Sequence, residues 1–359
     1  MTLAFKARVQ DPAIASHRYR VLTPIRFLER RGHAVELYDP ARQARYHGVV
    51  FSKAYKAEDQ ALAERLRAAG KEVVLDLCDD HFYNPADLPK YRQARADLLA
   101  MIALADRVTC STPVLARSVQ QHAGLKATPA VAPDVYEQAE ASASAPSPPG
   151  QPARLLWYGR HGSPNAPSGM DDLRLIADPL ARAFARRPFE LTVCSDSRAA
   201  FDRLAPDLPV PTRYTDWSPQ SLTAELGAAD AVLIPLSQNP FVAAKTHNRL
   251  TLALSAGLPV VADHLDAYDE FAPFCHLGDW PGGLEAVLLR PQEARARAAL
   301  ASPYLKARWS ETAIAPVWEA ALGLPHNGAA ARRADRRAGP GGLAGVWRWL
   351  GGGRRTSGR

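Results

Sequence analysis

The chain has 359 residues, 47% of them hydrophobic, and a formal net charge of +7, which allows two domains that each bury a core. The charge is concentrated: residues 325–359 hold eight arginines, no lysine and one acid, Asp335, while residues 1–324 balance 36 cations with 36 anions. A balanced body excludes a generally basic nucleic-acid surface, and no apolar run approaches the roughly 18 residues of a membrane-spanning helix.

The opening "MTLAFKARVQDP" is too short and too charged to read as a signal peptide. Short apolar runs then alternate with amphipathic stretches, the pattern of parallel strands joined by helices. Strands are expected at 3–9, 34–39, 48–52, 72–77, 107–111 and 129–133, with helices such as 58–69 and 113–123 between them. Residues 137–153, an Ala/Ser/Pro segment without apolar periodicity, read as a linker. The alternation restarts with strands at 154–159, 189–195, 210–215, 230–236 and 258–263 and helices at 170–186, 197–204, 218–227 and after 244. Helical stretches 282–301 and 303–322 follow.

The expected fold class is α/β, two tandem Rossmann-like domains at 1–136 and 154–302, with a closing helix at 303–324 and a disordered basic tail at 325–359. No repeat with a period of 20–50 residues is visible. The four cysteines, Cys78, Cys110, Cys194 and Cys275, stand singly in or beside strand-like runs, so free thiols in a reducing cytoplasm are expected.

In open α/β sheets ligands bind beyond the C-terminal ends of the strands, which directs attention to four loops. Between Ala231 and Ala262 there is no Asp or Glu, yet Lys245 and Arg249 stand four residues apart where a helix is expected to begin. Two cations at a positive helix end need an anion, and a ligand diphosphate would supply it, with Asn248 beside them. The alternative is pairing with distant carboxylates. Gly159 and Arg160, followed by His161-Gly162-Ser163, offer a small-residue loop as a second arm of that site.

In "DLCDDHFYNP", Asp79, Asp80 and His81 end a strand, and three readings compete: a metal site, acid/base work on sugar hydroxyls by Asp80 and His81, or a polar turn. The metal ranks last because further ligands are not in the local sequence. In "SHRYR", Ser16 is a candidate N-cap, and Arg18 and Arg20 touch phosphate or acceptor across the cleft or are solvated.

The segments "SHRYRVLTPIRFLERRGHAVELYD", "DLCDDHFYNP", "VTCSTPVLARSV", "WYGRHGSPNAPSGMDDLRLI" and "ADAVLIPLSQNPFVAAKTHNRLTLALSAGLPVVA" together resemble GT-B glycosyltransferases of the retaining family 1 and 4 group. The resemblance implies a nucleotide-sugar donor on the C-terminal domain, its diphosphate met by Arg160 and Lys245, an acceptor on the N-terminal domain beside Asp79, and metal-independent transfer. It also exposes a departure. The group commonly carries two glutamates eight positions apart, and the corresponding positions are Ala244 and Leu252. Donor contacts must then come from elsewhere, with Asn248, Arg249 and Asp263 as candidates.

The functional expectation is a cytoplasmic bacterial glycosyltransferase of cell-surface glycan synthesis. It would use a nucleotide sugar as co-substrate, no further cofactor, and a saccharide or lipid-linked saccharide acceptor. The tail motif "GGLAGVWRWLGGGRR" would rest on an anionic membrane face or be solvated. The alternatives are a sugar-nucleotide epimerase or hydrolase on the same fold and a nucleotide- or glycan-binding protein without catalysis. A nicotinamide dehydrogenase is disfavoured because the first strand leads into "QDPAIASHRYR", without a glycine-rich fingerprint.

Overall fold

A computed structural model of the chain describes residues 2–163 and 166–326. The first half contributes β1 (Thr2–Ala7), β2 (Ala34–Leu37), β3 (Tyr46–Ser52), β4 (Glu72–Leu77), β5 (Arg107–Cys110) and β6 (Ala130–Val131). They form one parallel sheet in the order β2-β1-β3-β4-β5-β6. The second half contributes β7 (Ala153–Gly159), β8 (Phe189–Ser195), β9 (Thr212–Asp216), β10 (Ala231–Ile234), β11 (Val260–Ala262) and β12 (His276–Leu277). These pair in the order β12-β11-β10-β7-β8-β9, again all parallel.

The central strands of both sheets are buried on two faces, which is why they run apolar rather than alternating with polar residues, while the edge strand β9, TRYTD, is polar and partly exposed. In β3, Val49 and Phe51 enter one core and Val50 the other. In β10, Val232 and Ile234 face one side while Ala231 and Leu233 face the opposite one. All four cysteines are free, and Cys110, Cys194 and Cys275 are buried.

The helical expectations need two corrections. The stretch 170–186 opens as a 3-10 helix, Gly169–Ile176, before the α-helix Ala177–Arg186. The stretch 282–322 breaks into Trp280–Leu289, Pro291–Ala299, Ala301–Trp309 and Glu311–Ala321. Pro291 can only begin a helix, having no N–H to donate, and Ser310 caps the last one, its hydroxyl accepting from the Ala313 N–H.

That last helix returns to the first sheet. Its Ile314, Ala315 and Trp318 pack with Leu3, Phe5, Val21 and Phe27, and Trp318 Nε1 donates to the Pro133 carbonyl at 2.8 Å. Residues 137–153, without helix, lie along the second half: the Ala143 N–H meets the Ala256 carbonyl and the Ser144 N–H the Gly227 carbonyl, each at 2.9 Å. Among the described residues no helix is long and apolar enough to cross a membrane. The tail motif 341–355 lies outside the described residues.

Candidate functional site

The loops leaving β4, β5 and β6 meet the segment that leaves β10. Thr112 Oγ1 donates to the Ala244 carbonyl at 3.0 Å, Asn248 Nδ2 donates to Asp134 Oδ2 at 2.7 Å, and Lys245 pairs with Asp79. A cleft of 540 Å³ opens beside these contacts, lined by Asp80, Phe82, Tyr83, Arg117 and His122 from the first half and Pro240 from the second.

Asp79 is the hub on the first-domain side. It pairs with Lys53 and Lys245, and His81 Nε2 stands 4.0 Å from its Oδ2. Against the upward push of burial, Lys245 and Lys53 hold the Asp79 carboxyl well below the usual range. Burial and the same two cations depress His81 to about 3, so its ring is neutral. Burial raises Tyr55 to about 12, so its hydroxyl keeps its proton, and Tyr55 Oη stands 2.5 Å from His81 Nδ1 in a hydrogen bond whose direction follows the imidazole tautomer. The counter-charge of Lys245 is a protein carboxylate, Asp79, so for this residue the alternative of a distant carboxylate holds in place of a ligand as sole counter-ion. Lys245 also lies over the Phe241 ring, 4.0 Å from its centroid.

Lys245 and Arg249 do not share a helix face. A short helix, Pro240–Ala243, ends before Lys245, and the next begins at Asn248. Arg249 is thus the second residue of Asn248–Ser255 and carries the dipole clash by itself. Its guanidinium is half-buried and, among the described residues, has no carboxylate within ion-pair distance. Gly159 lets it approach β7: a Cβ there would sit 3.3 Å from Arg249 Nη1 and 3.2 Å from the Trp157 ring. Tyr158 Oη donates to the Arg249 carbonyl at 2.5 Å. Arg160, 71% exposed, pairs with Asp196 at 3.1 Å, and His161 Nδ1 reaches the same carboxylate at 2.9 Å. Gly169 folds this loop back on itself, with φ of 91° and a hypothetical Cβ only 2.7 Å from the Arg160 carbonyl.

Five sequence candidates have structural occupations instead. Arg20 is 0% exposed and fully engaged: Nη2 and Nε on Asp76 at 2.5 and 3.1 Å, Nη1 on Asp134 at 2.8 Å, and its plane 4.5 Å from the Trp318 ring centre. Arg18 is also buried; Nε reaches Glu137 at 3.1 Å, and Nη1 reaches the Pro12 and Ala13 carbonyls at 3.1 Å. Neither faces an acceptor.

Asp80 has a structural occupation, accepting from the Phe82 N–H at 3.0 Å and from Ser118 Oγ at 2.6 Å, while still lining the cleft. Asp263 ties strand ends together, accepting from the Leu236 N–H and from Trp280 Nε1, each at 2.8 Å. Asn248 spends its amide on Asp134, leaving its buried Oδ1 without a partner. Lys53 and Tyr55 were not singled out by the sequence, although both follow the strand "GVVFS" at the end where ligands bind.

Taken together, two facing Rossmann-like units with a cation-bearing cleft and a C-terminal helix that returns to the first unit define the GT-B glycosyltransferase fold. Solved structures of that fold match nearly the whole chain. The apo lipopolysaccharide outer core galactosyltransferase WaaB is 12% identical, covering 90% of this chain and 99% of its own, with a TM-score of 0.57. HepE of Anabaena, in complex with UDP and glucose, is 13% identical, covers 89% and 99%, and has a TM-score of 0.61. A glycosyltransferase from Rickettsia africae is 9% identical, covers 89% and 98%, and has a TM-score of 0.58. No family model matches the chain, and no curated protein sequence matches it.

Proposed function

We propose that the chain is a glycosyltransferase that moves a sugar from a nucleotide-sugar donor to a saccharide or lipid-linked saccharide in bacterial cell-surface glycan synthesis. The observation that carries this reading is Arg249, half-buried in the first turn of a helix beside Gly159, with no carboxylate within ion-pair distance among the described residues and Asp172 acting on it only from farther away. A diphosphate answers the guanidinium and the helix N–H groups at once. Lys245, held across the cleft by Asp79, and Arg160, on its loop, complete the anion site.

As the bond between the anomeric carbon and the phosphate oxygen breaks, its electron pair passes to the diphosphate. Arg249 and Lys245 would stabilise that charge as fixed cations beside it, and metal-independent transfer is proposed on the resemblance. His81, neutral, is proposed to hydrogen-bond a sugar hydroxyl rather than to serve as an acid. Retention of configuration is proposed on the resemblance to families 1 and 4. A cytoplasmic site of action, with the basic tail at the inner membrane face, is proposed on the composition of residues 325–359.

One observation favours a second reading, a nucleotide-binding protein without transfer. Ala244 and Leu252, where the related enzymes commonly carry glutamates, are 0% and 4% exposed, and Ala244 packs into the first domain's core. The two readings part in one assay: nucleotide release from UDP-, GDP- and dTDP-hexoses with and without saccharide acceptors. Transfer predicts acceptor-dependent release that Arg249→Ala lowers by about 100-fold, the loss typical of a removed charge-stabilising donor. Saturable nucleotide binding without release from any donor would select the binding protein.

A further inference from the structure

We propose that a cavity in the first domain, apart from the donor cations, holds a phosphate group carried by the acceptor; the inference rests on the glycosyltransferase reading for the word acceptor, and on the cavity alone for the phosphate. The cavity encloses 190 Å³ at the C-terminal ends of β1 and β3 and is lined by Arg8, Ile14, Ser16, His17, Ser52 and Lys53, among others. That space admits a phosphoryl group and its immediate attachment, with the rest of a ligand free to extend through the open mouth.

Three observations make it a built site. His17 is 5% exposed, and neither ring nitrogen makes a well-formed hydrogen bond, although the Asp11 backbone lies near enough to act on the ring. Buried polar groups are ordinarily paired, so an imidazole so weakly met at the edge of a cavity has capacity for a ligand. Burial lowers its pKa, opposed by the Asp11 backbone and carboxylate, the carboxylate accepting from the Ala13 N–H at 2.8 Å; the neutral ring offers one donor and one acceptor.

Lys53 is one of two non-glycine residues with positive φ among those described, at 53°, a strained conformation that occurs where structure holds a side chain to a task. Immediately after His17 the backbone widens into a π-helix, Arg18–Leu22, a distortion frequent at functional sites.

Charge selects the ligand class. Arg8 has no carboxylate partner among the described residues, and its charge lies close enough to depress the pKa of His81. Lys53 and Lys245 already share Asp79. The cavity wall therefore carries two cations, Arg8 and Lys53, with Lys53 held by Asp79 and Asp11 beside His17, and the unpartnered Arg8 charge is one that a neutral sugar leaves standing and a phosphate ester answers.

The test reads the His17 ring in the full chain by nitrogen-15 NMR, assigned with His17→Gln, with UDP saturating the donor site. Hexose 1-phosphate and phosphatidylglycerol vesicles are used as separate probes, to distinguish a free phosphate ester from a lipid headgroup, with methyl hexoside as the uncharged control. A saturable shift of the His17 signals with either phosphate probe, absent with methyl hexoside and weakened about tenfold or more in Arg8→Gln, is the expected result. Unmoved His17 signals with both phosphate probes, or an affinity unchanged in Arg8→Gln, overturn the inference. Arg8 is exposed, so its variant remains folded. UDP affinity, measured in the same samples, reports on the donor reading separately: saturable UDP binding with a silent His17 sinks only this inference, and a phosphate-responsive His17 without UDP binding sinks only the donor reading.

Discussion

Arg20 and Arg249 carry the same side chain near the binding ends of their sheets, and what meets each guanidinium gives them opposite roles. Arg20 is enclosed by Asp76, Asp134 and the Ala132 carbonyl. Removing it leaves two buried carboxylates short of their partner, so Arg20→Ala is expected to destabilise the fold by about 3–5 kcal/mol in urea titrations. Arg160 is 71% exposed, and Arg160→Ala should move the same titration by less than about 0.5 kcal/mol. Sequence alone could not separate these arginines. "SHRYR" and "GRHGS" both place a cation after a strand, and only packing shows which is buried under Trp318.

The closing helix Glu311–Ala321 is held at one buried acid. Glu319 accepts from Arg31 at 2.6 and 2.8 Å, faces His33 at 2.8 Å and reaches His326 at 3.0 Å. Burial pushes its carboxyl up, but the Arg31, His33 and His326 contacts outweigh that and bring it from an ordinary 4.5 down to about 2. A carboxyl depressed on folding contributes stability that is complete above its unfolded value and is lost as the pH falls through the folded one. The stability of the chain should therefore decline between pH 4.5 and about 2. In Glu319→Gln this part of the decline should vanish, with a loss at neutral pH of about 3 kcal/mol. Denaturant melts across that range check both, and an unchanged acid limb in the variant would contradict the assignment.

Elements were the legible part of this chain. Eleven of its strands follow from apolar runs between turn residues, because strands buried on both faces concentrate Val, Ile and Leu. The two-residue β12, His276–Leu277, has no periodicity to read, and its existence depends on the Ala262↔Leu277 pairing.

At the scale of the whole molecule, function depends on two halves meeting, and there the sequence is least informative. Lys245 and Asp79 stand 166 positions apart, and nothing local to either predicts the pair. The loops were readable because ligands gather at strand ends; the partners within them were not, since they depend on how the two sheets face each other. Lys53 and Tyr55 escaped for the same reason, each gaining significance only from Asp79 and His81. Across the two halves Lys245 is held by Asp79 and lies over Phe241, while Arg249 has no carboxylate within ion-pair distance among the described residues.

The central claim is that Arg249 receives a nucleoside diphosphate, and calorimetric titration of the full chain with UDP, GDP and dTDP tests it most directly, with Arg249→Ala alongside. One diphosphate should bind saturably, and the variant should lose at least about tenfold in affinity, since a hydrogen bond to a charged group contributes about 1.5–3 kcal/mol. Equal affinity in both proteins, or no binding by a chain shown to be folded, would contradict the account.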